Sequence, residues 1–298
     1  MFRLTMSVEQ LDALRKKALL IACIGFPLAA ILFFVLIAED MPIAGFISLV
    51  VIGIATVILY LINKRKFVSG YKETFVKTAL ESSFDDLVYE PDNGIPEEVI
   101  KETGFIRLGN KYSSSDYIKA SYNSTPFELS DVLIQDEHET TDSKGDTTTE
   151  TDTIFHGQWM IFRFNKNFVS TVQVRQKFFG NSLFGTLKKT GKKIEMEDIE
   201  FNKLFTVFAE SQQEAFYILT PHIMAKMKEI SKKSDAQMMY GFKDNLLHIA
   251  VSSSKDSFSP KMFKKLDAEK AKADISSSIS IITGFIEELK LDNDLFKN

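Results

Sequence analysis

Only one cysteine, Cys23, one tryptophan, Trp159, and four histidines occur in the 298 residues. A lone cysteine excludes an intramolecular disulfide framework, which agrees with a soluble part kept in a reducing compartment. His138, His156, His222 and His248 stand singly. No histidine has an i, i+4 partner and there is no CxxC pair, so the usual spacings of a zinc site are missing. An excess of basic charge is missing as well: 36 Lys and Arg against 40 Asp and Glu give a net charge of -4. That balance argues against a general nucleic-acid binder.

The phosphate loop and the nucleophile elbow are absent too. "GTLKKTGKK", residues 185–193, has five residues between its glycines where a phosphate loop needs four, and Lys193 follows Lys192 where Ser or Thr is required. In "GNSLFG" two residues rather than one separate Ser182 from Gly185, which is not elbow spacing. Nothing in the chain therefore announces catalysis, and no catalytic residue, cofactor or metal ligand is assigned. An enzyme whose site is assembled from scattered polar residues stays open.

What the chain has is apolar length. Residues 18–38, "ALLIACIGFPLAAILFFVLIA", and 42–62, "PIAGFISLVVIGIATVILYLI", are each 21 residues without a charge. As a helix at about 1.5 Å per residue each spans about 30 Å, the thickness of a bilayer's hydrocarbon core. Two buried core helices are the poorer reading, because a helix apolar on every face needs protein on all sides. Between them Glu39-Asp40-Met41 reads as the tip of a transmembrane hairpin, and Pro42 suits the first turn of the second helix. Arg15, Lys16 and Lys17 precede the first span, Lys64, Arg65 and Lys66 follow the second, and the tip has no basic residue. The positive-inside rule then puts both termini in the cytoplasm. A cleaved signal peptide over the first 38 residues is the rival, although its apolar run is long for one and Leu36 suits a cleavage site poorly.

The expected organisation is a cytoplasmic segment 1–17, a hairpin 18–62, and a cytoplasmic α+β domain 63–298 that opens with a linker helix over 63–84. Phe67, Tyr71, Phe75 and Ala79 recur every four residues in that linker, as an amphipathic helix requires. "LVYE" reads as a strand, "PDNG" as a turn and "IPEEVIKETGF" as a short helix ended by Gly104. From 116 to 208 strand residues dominate, in "DYIKASY", "FELSDVLIQ", "TIFHGQWMIFRF", "FVSTVQVR" and "LFTVFAE". Residues 136–152 carry seven acids against Lys144 and no apolar residue, so a solvated hairpin loop is expected there. They do not fit the calcium-loop pattern. Ser211 and Glu214 have capping-box spacing, and Pro221 should divide the helix that follows. "AQMMYGF" and "LLHIAVS" form a strand pair, and Ser259-Pro260 opens a final helical region. Strands with helices between and after them indicate an α+β domain on a largely antiparallel sheet.

Several stretches invite a functional reading. Lys188, Lys189, Lys192 and Lys193 cluster with no acid among them and suit the anionic inner leaflet, at about 1 kcal/mol per lysine near the surface, or an ordinary solvated loop. Glu195, Glu197, Asp198 and Glu200 read as a solvent face, Trp159 as core, and "FNKNF" beside "FNKLF" as coincidence rather than an internal repeat. Gly25 with Ala29 is a small-xxx-small pair that serves either a larger membrane complex or the packing of the two spans.

"EMEDIEFNKLFTVFAESQQEAFYILTPHIMAKM" has an acidic start, a Phe-x-x-x-Phe-x-Val core, Glu-Ala and then "YILTP". With the preceding "HGQWMIFRFNKNF" it resembles the bacterial family known as domain of unknown function 3137. Ser211 stands where Asp is expected in many relatives; either residue caps a helix. The resemblance implies a bacterial inner-membrane protein with a cytoplasmic α+β domain, gives no catalytic residues, and suggests a LemA-like membrane protein as partner. The reading that results is a membrane-anchored binding or scaffold protein.

Overall fold

The computed structural model describes residues 6–141, 145–164, 167–177, 190–233, 236–253 and 258–289. The chain divides into two compact units, residues 1–79 with 258–276, and residues 80–257 with 277–298.

The first unit is built on two long antiparallel helices. Helix α1, Val8–Ala38, starts at a complete capping box: Ser7 Oγ accepts the Gln10 N–H while the Gln10 side chain accepts the Ser7 N–H. Helix α2, Pro42–Tyr71, has its proline at the first helical position, as expected. The tip turns through Asp40 at φ +55°. The amphipathic continuation expected after the second span is present, but it is not one uniform helix. Lys72–Lys77 winds as a π-helix and Thr78–Glu81 as the short α3. Phe67, Tyr71 and Phe75 are its buried face.

The second unit contains, among the described residues, a nine-stranded sheet whose ladders are all antiparallel: β1 Asp85–Glu90, β2 Lys111–Tyr122, β3 Thr125–Thr141, β4 Thr147–Arg163, β5 Val172–Gln176, β6 Lys192–Ile194, β7 Phe205–Ala209, β8 Gln237–Lys243 and β9 Leu246–Ser252. Their spatial order is β1-β2-β3-β4-β9-β8-β5-β7-β6. The β2–β3 turn needs two residues of positive φ, and the short polar side chains of Asn123 (48°) and Ser124 (61°) adopt them.

At its centre both sheet faces are covered, which is why residues 154–162 of β4, with β8 and β9, are buried on both sides instead of alternating. One cross-strand row, Trp159–Ala250–Met239, packs under Ile95, Ile100 and Phe105 from helix α4, Glu97–Thr103, and its flanks. Gly104 ends α4 at φ +68°, the left-handed conformation that glycine adopts without strain. The opposite row, Met160–Ile249–Tyr240–Val174, is equally buried. On that side Tyr240 meets the ring of Phe285 at 6.1 Å, near the end of helix α8, Ala268–Glu288. Helices α5, Ile199–Leu204, α6, Gln212–Ile218, and α7, Pro221–Lys233, complete the unit. The α+β class and antiparallel sheet stand as expected.

Three expectations change. Residues 136–141 and 147–152 are strand rather than loop: β3 and β4 continue their ladder from Asp136↔Asp152 to Thr141↔Thr147. Threonine's β-branching and cross-strand pairs such as Thr140–Thr148 sustain a strand pair that needs no buried face. Arg107 binds Asp136 and Lys111 binds Glu137, so acids on this ribbon are matched by cations beside it. Ser259-Pro260 does not open the last helix. That role falls to Asp267, whose carboxylate accepts the N–H groups of Glu269 and Lys270, both at 3.1 Å. The Ser211 cap forms, accepting the Glu214 N–H at 3.3 Å, but the Glu214 carboxylate turns to the Val169 N–H at 3.0 Å. Pro221 divides α6 from α7 as expected.

Candidate functional site

The two long helices keep one register over their whole length. A Cβ on Gly25 would sit 2.3 Å from Thr56 Oγ1, one on Gly45 3.2 Å from the Phe33 carbonyl, and one on Gly70 2.7 Å from Leu11. Small residues thus set the close approach, and Gly25 with buried Ala29 packs the hairpin on itself. Antiparallel helices in constant register place Lys16 and Lys17 level with Lys64 and Arg65 at one end, and Glu39 and Asp40 at the other.

Outward from this seam the surface is apolar. Phe34 is 67% exposed and Ile43 77%, and Ile24, Ile31, Phe46 and Ile54 resemble them. Both helices are long and apolar enough to cross a membrane. Their few polar side chains bond to their own helix: Thr56 Oγ1 donates to the Ile52 carbonyl, Asn63 Nδ2 to Leu59, and Ser48 Oγ to Gly45, each at 2.8 Å. Such back-bonding gives each of these three groups a partner on its own helix, as a hydrocarbon environment favours.

At the basic end lies a buried polar clasp. Asp12 Oδ1 accepts from Arg15 Nε at 2.8 Å and from the Leu266 N–H at 3.5 Å, while Lys16 Nζ approaches Oδ2 at 3.0 Å. Arg15 Nη1 donates to the Met262 carbonyl at 3.1 Å. Burial raises the Asp12 pKa, but the bonds from Lys16, Arg15 and the Leu266 backbone outweigh it and hold the carboxyl at about 2. Arg15, only 6% exposed, is therefore a structural cation as well as a basic flank. Asp12→Asn is expected to destabilise this unit by about 1.5 kcal/mol, the value of bonds to a charged group, read as earlier proteolysis within 258–267. The folded pKa lies below the unfolded one. Wild-type stabilisation by Asp12 is thus complete above about pH 4 and fades as pH falls through about 2.

In the sheet unit the buried polar groups serve packing. Trp159 Nε1 donates to His248 Nδ1 at 3.1 Å, so the imidazole proton sits on Nε2. Burial, with a smaller push from the Lys243 charge, lowers the His248 pKa to about 3. Gln173 Nε2 donates to the Phe105 carbonyl at 3.1 Å and its Oε1 accepts from Arg175 Nη2 at 2.8 Å. Arg175 also lies over the Phe208 ring, 4.8 Å from its centre; burial lowers its pKa to about 10, so it stays a cation at neutral pH.

The residues singled out in the sequence separate. Lys188 and Lys189 lie outside the described residues. Lys192 and Lys193 are exposed on β6, at the sheet's edge, and Lys193 has an acid beside it after all, Glu195 Oε1 at 3.2 Å. Asp198 caps α5 through the Phe201 N–H at 2.9 Å and binds Lys228. Glu200 pairs with Lys203 at 2.7 Å. His138 is 3.8 Å from Glu150 on the exposed ribbon. Among the described residues no three His, Cys, Asp or Glu side chains gather where a metal ion could be held. Phe201 is helical, whereas Phe164 follows the end of a strand, so the two "FNK" stretches share no conformation. The Asp12 clasp went unread in the sequence. Its i, i+3 and i+4 spacing was visible there, but nothing local pointed to residues 262–266.

The strands and helices from β4 to the end of α8 form the stretch with a recognisable counterpart. Residues 153–291 match the family described as "Protein of unknown function (DUF3137)". It is the family that the acidic-start, "YILTP" motif resembles. The DUF3137 stretch includes the Trp159–His248 pair, Arg175 and the divided α6–α7 helix. No curated protein matches the chain. Among solved structures, the crystal structure of the mycobacterial trehalose monomycolate transport factor A, TtfA, is similar at 8% identity and a TM-score of 0.37, covering 74% of this chain and 96% of that one. A likeness at that level carries no argument.

Proposed function

We propose that the chain is an integral protein of a bacterial inner membrane, anchored by a two-span hairpin with both termini cytoplasmic, and that its α+β part is a binding or scaffold module. The observation carrying this reading is the hairpin's surface: apolar side chains exposed along both helices, cations at one end, acids at the other. In water such a surface is unfavourable at about 25 cal/mol per Å² of apolar area; in lipid the cost disappears. A binding role is supported by exposed apolar residues beside α6. Val169 is 89% exposed, its N–H is bound to Glu214, and Phe216 and Tyr217 on the same helix are also exposed. Exposed apolar groups gathered in one place are a common mark of protein interaction sites. A LemA-like membrane protein as partner, and anionic lipid at Lys188, Lys189, Lys192 and Lys193, extend the same reading.

Topology tests it directly. A reporter active only in the cytoplasm, fused after Asn298, is expected to be active, and a periplasm-active reporter inserted at 39–41 likewise. A periplasmic C-terminus would overturn the hairpin reading and restore signal cleavage or a single span.

A further inference from the structure

Residues 261–266, "KMFKKL", are an irregular segment in the same unit as the hairpin. Their backbone is tied to α1 at two points, Met262 carbonyl to Arg15 and Leu266 N–H to Asp12. Met262 is buried, yet the next residue, Phe263, is 85% exposed. Lys261, Lys264 and Lys265 flank it in the sequence and are exposed too. An aromatic ring held outward in water on a segment that also exposes three lysines lacks the apolar cover that usually buries it.

The attachment points give the segment a depth. Arg15 lies three residues before the uncharged run that starts at Ala18, about 5 Å along a helix at 1.5 Å per residue. The headgroup layer on each side of the hydrocarbon core is about 5–8 Å thick. Amphipathic residues with lysine beside an aromatic ring are at home in that layer. Lys16, Lys17, Lys64, Arg65 and Lys66 are exposed at the same end of the hairpin and add cations there.

We propose that this segment is a membrane-interface clip. Phe263 inserts among the headgroups of the leaflet at the basic end of the hairpin, while Lys261, Lys264 and Lys265 bind anionic phospholipid there. The Asp12–Arg15 clasp holds the clip at its depth. This rests on the two-span reading, so the test separates the two.

The native chain carries a fluorophore on Cys23, its sole cysteine, within the first apolar run; C23S/F263C carries it at the clip. Each is reconstituted into phosphatidylcholine vesicles with or without phosphatidylglycerol, bearing nitroxide lipids labelled either deep in the chain or at the headgroup. Deep nitroxide is expected to quench Cys23. Headgroup nitroxide is expected to quench position 263, more strongly with phosphatidylglycerol. Each Lys→Gln change at 261, 264 or 265 should weaken the phosphatidylglycerol dependence about fivefold, the fold-change for about 1 kcal/mol per lysine. If Cys23 is quenched but headgroup nitroxide leaves 263 unquenched, the clip is wrong and the anchor stands. If Cys23 is not quenched, the anchor fails and the clip with it.

Discussion

Acidification from pH 7 to 4.5 is expected to remove about 2–3 kcal/mol of stability from the sheet unit through His248 alone. Its imidazole is buried at the sheet's centre, neutral, and accepts the Trp159 N–H at 3.1 Å; burial lowers its pKa from the ordinary histidine value of 6.5 to about 3. The sign follows from linkage. The unfolded chain takes up the proton near pH 6.5 and the folded one only near 3, so the contribution is whole above 6.5 and declines through that window as pH falls. Carboxylates titrate mainly below 4.5, leaving the upper part of the window to histidine. Trp159, the only tryptophan, reports unfolding by its fluorescence in urea titrations of the detergent-solubilised chain. His248→Gln, which keeps an acceptor for the indole, should lower stability at pH 7 and flatten the pH dependence. An unchanged slope in that variant would assign the acid sensitivity to other groups.

Gly241→Ala is expected to cost about 3 kcal/mol, the upper end for an overpacked core. A Cβ at this position of β8 would lie 2.2 Å from Cε2 of Phe105, and that ring is fully buried against the sheet with its edge 5.9 Å, centre to centre, from His248. Movement of the ring is restrained on its own backbone, because the Phe105 carbonyl holds Gln173 and its N–H donates to Thr103 Oγ1 at 3.1 Å. Phe105→Leu alone should cost about 1 kcal/mol, as a swap between large apolar residues. Combined with Gly241→Ala it should recover part of the loss, because the atoms that clash are gone. Strict additivity in the double-mutant cycle would show that the two sites do not meet in solution.

The hairpin was legible because its signals are local. Two uncharged runs of 21 residues, a three-residue acidic tip and Pro42 define two helices whatever surrounds them. Gly104, Ser211 and Pro221 act within one helical turn, so the end of α4, the start of α6 and the break before α7 followed from residue type, and period and β-branching gave most strands. Helix α5, capped by Asp198, was not expected, because its acids read only as a solvent face. Where local signals failed, a partner distant in sequence decided. Residues 136–152 looked like a loop by polarity, yet each half supplies the other's ladder. Ser259-Pro260 looked like a helix start, yet the backbone there bends so that Met262 and Leu266 reach α1.

The same division holds for the functional residues. The order of residues along the chain set the two long apolar helices and the α+β class, since both depend on runs and spacings. Only the tertiary structure decided that Asp12 and Arg15 form a buried clasp, that Trp159 meets His248, that Gly241 makes room for Phe105, and that Phe263 stands exposed among lysines. Each of those facts is a meeting of residues up to about 250 positions apart, and burial, which fixes their charge and bonding, exists only once the chain has folded.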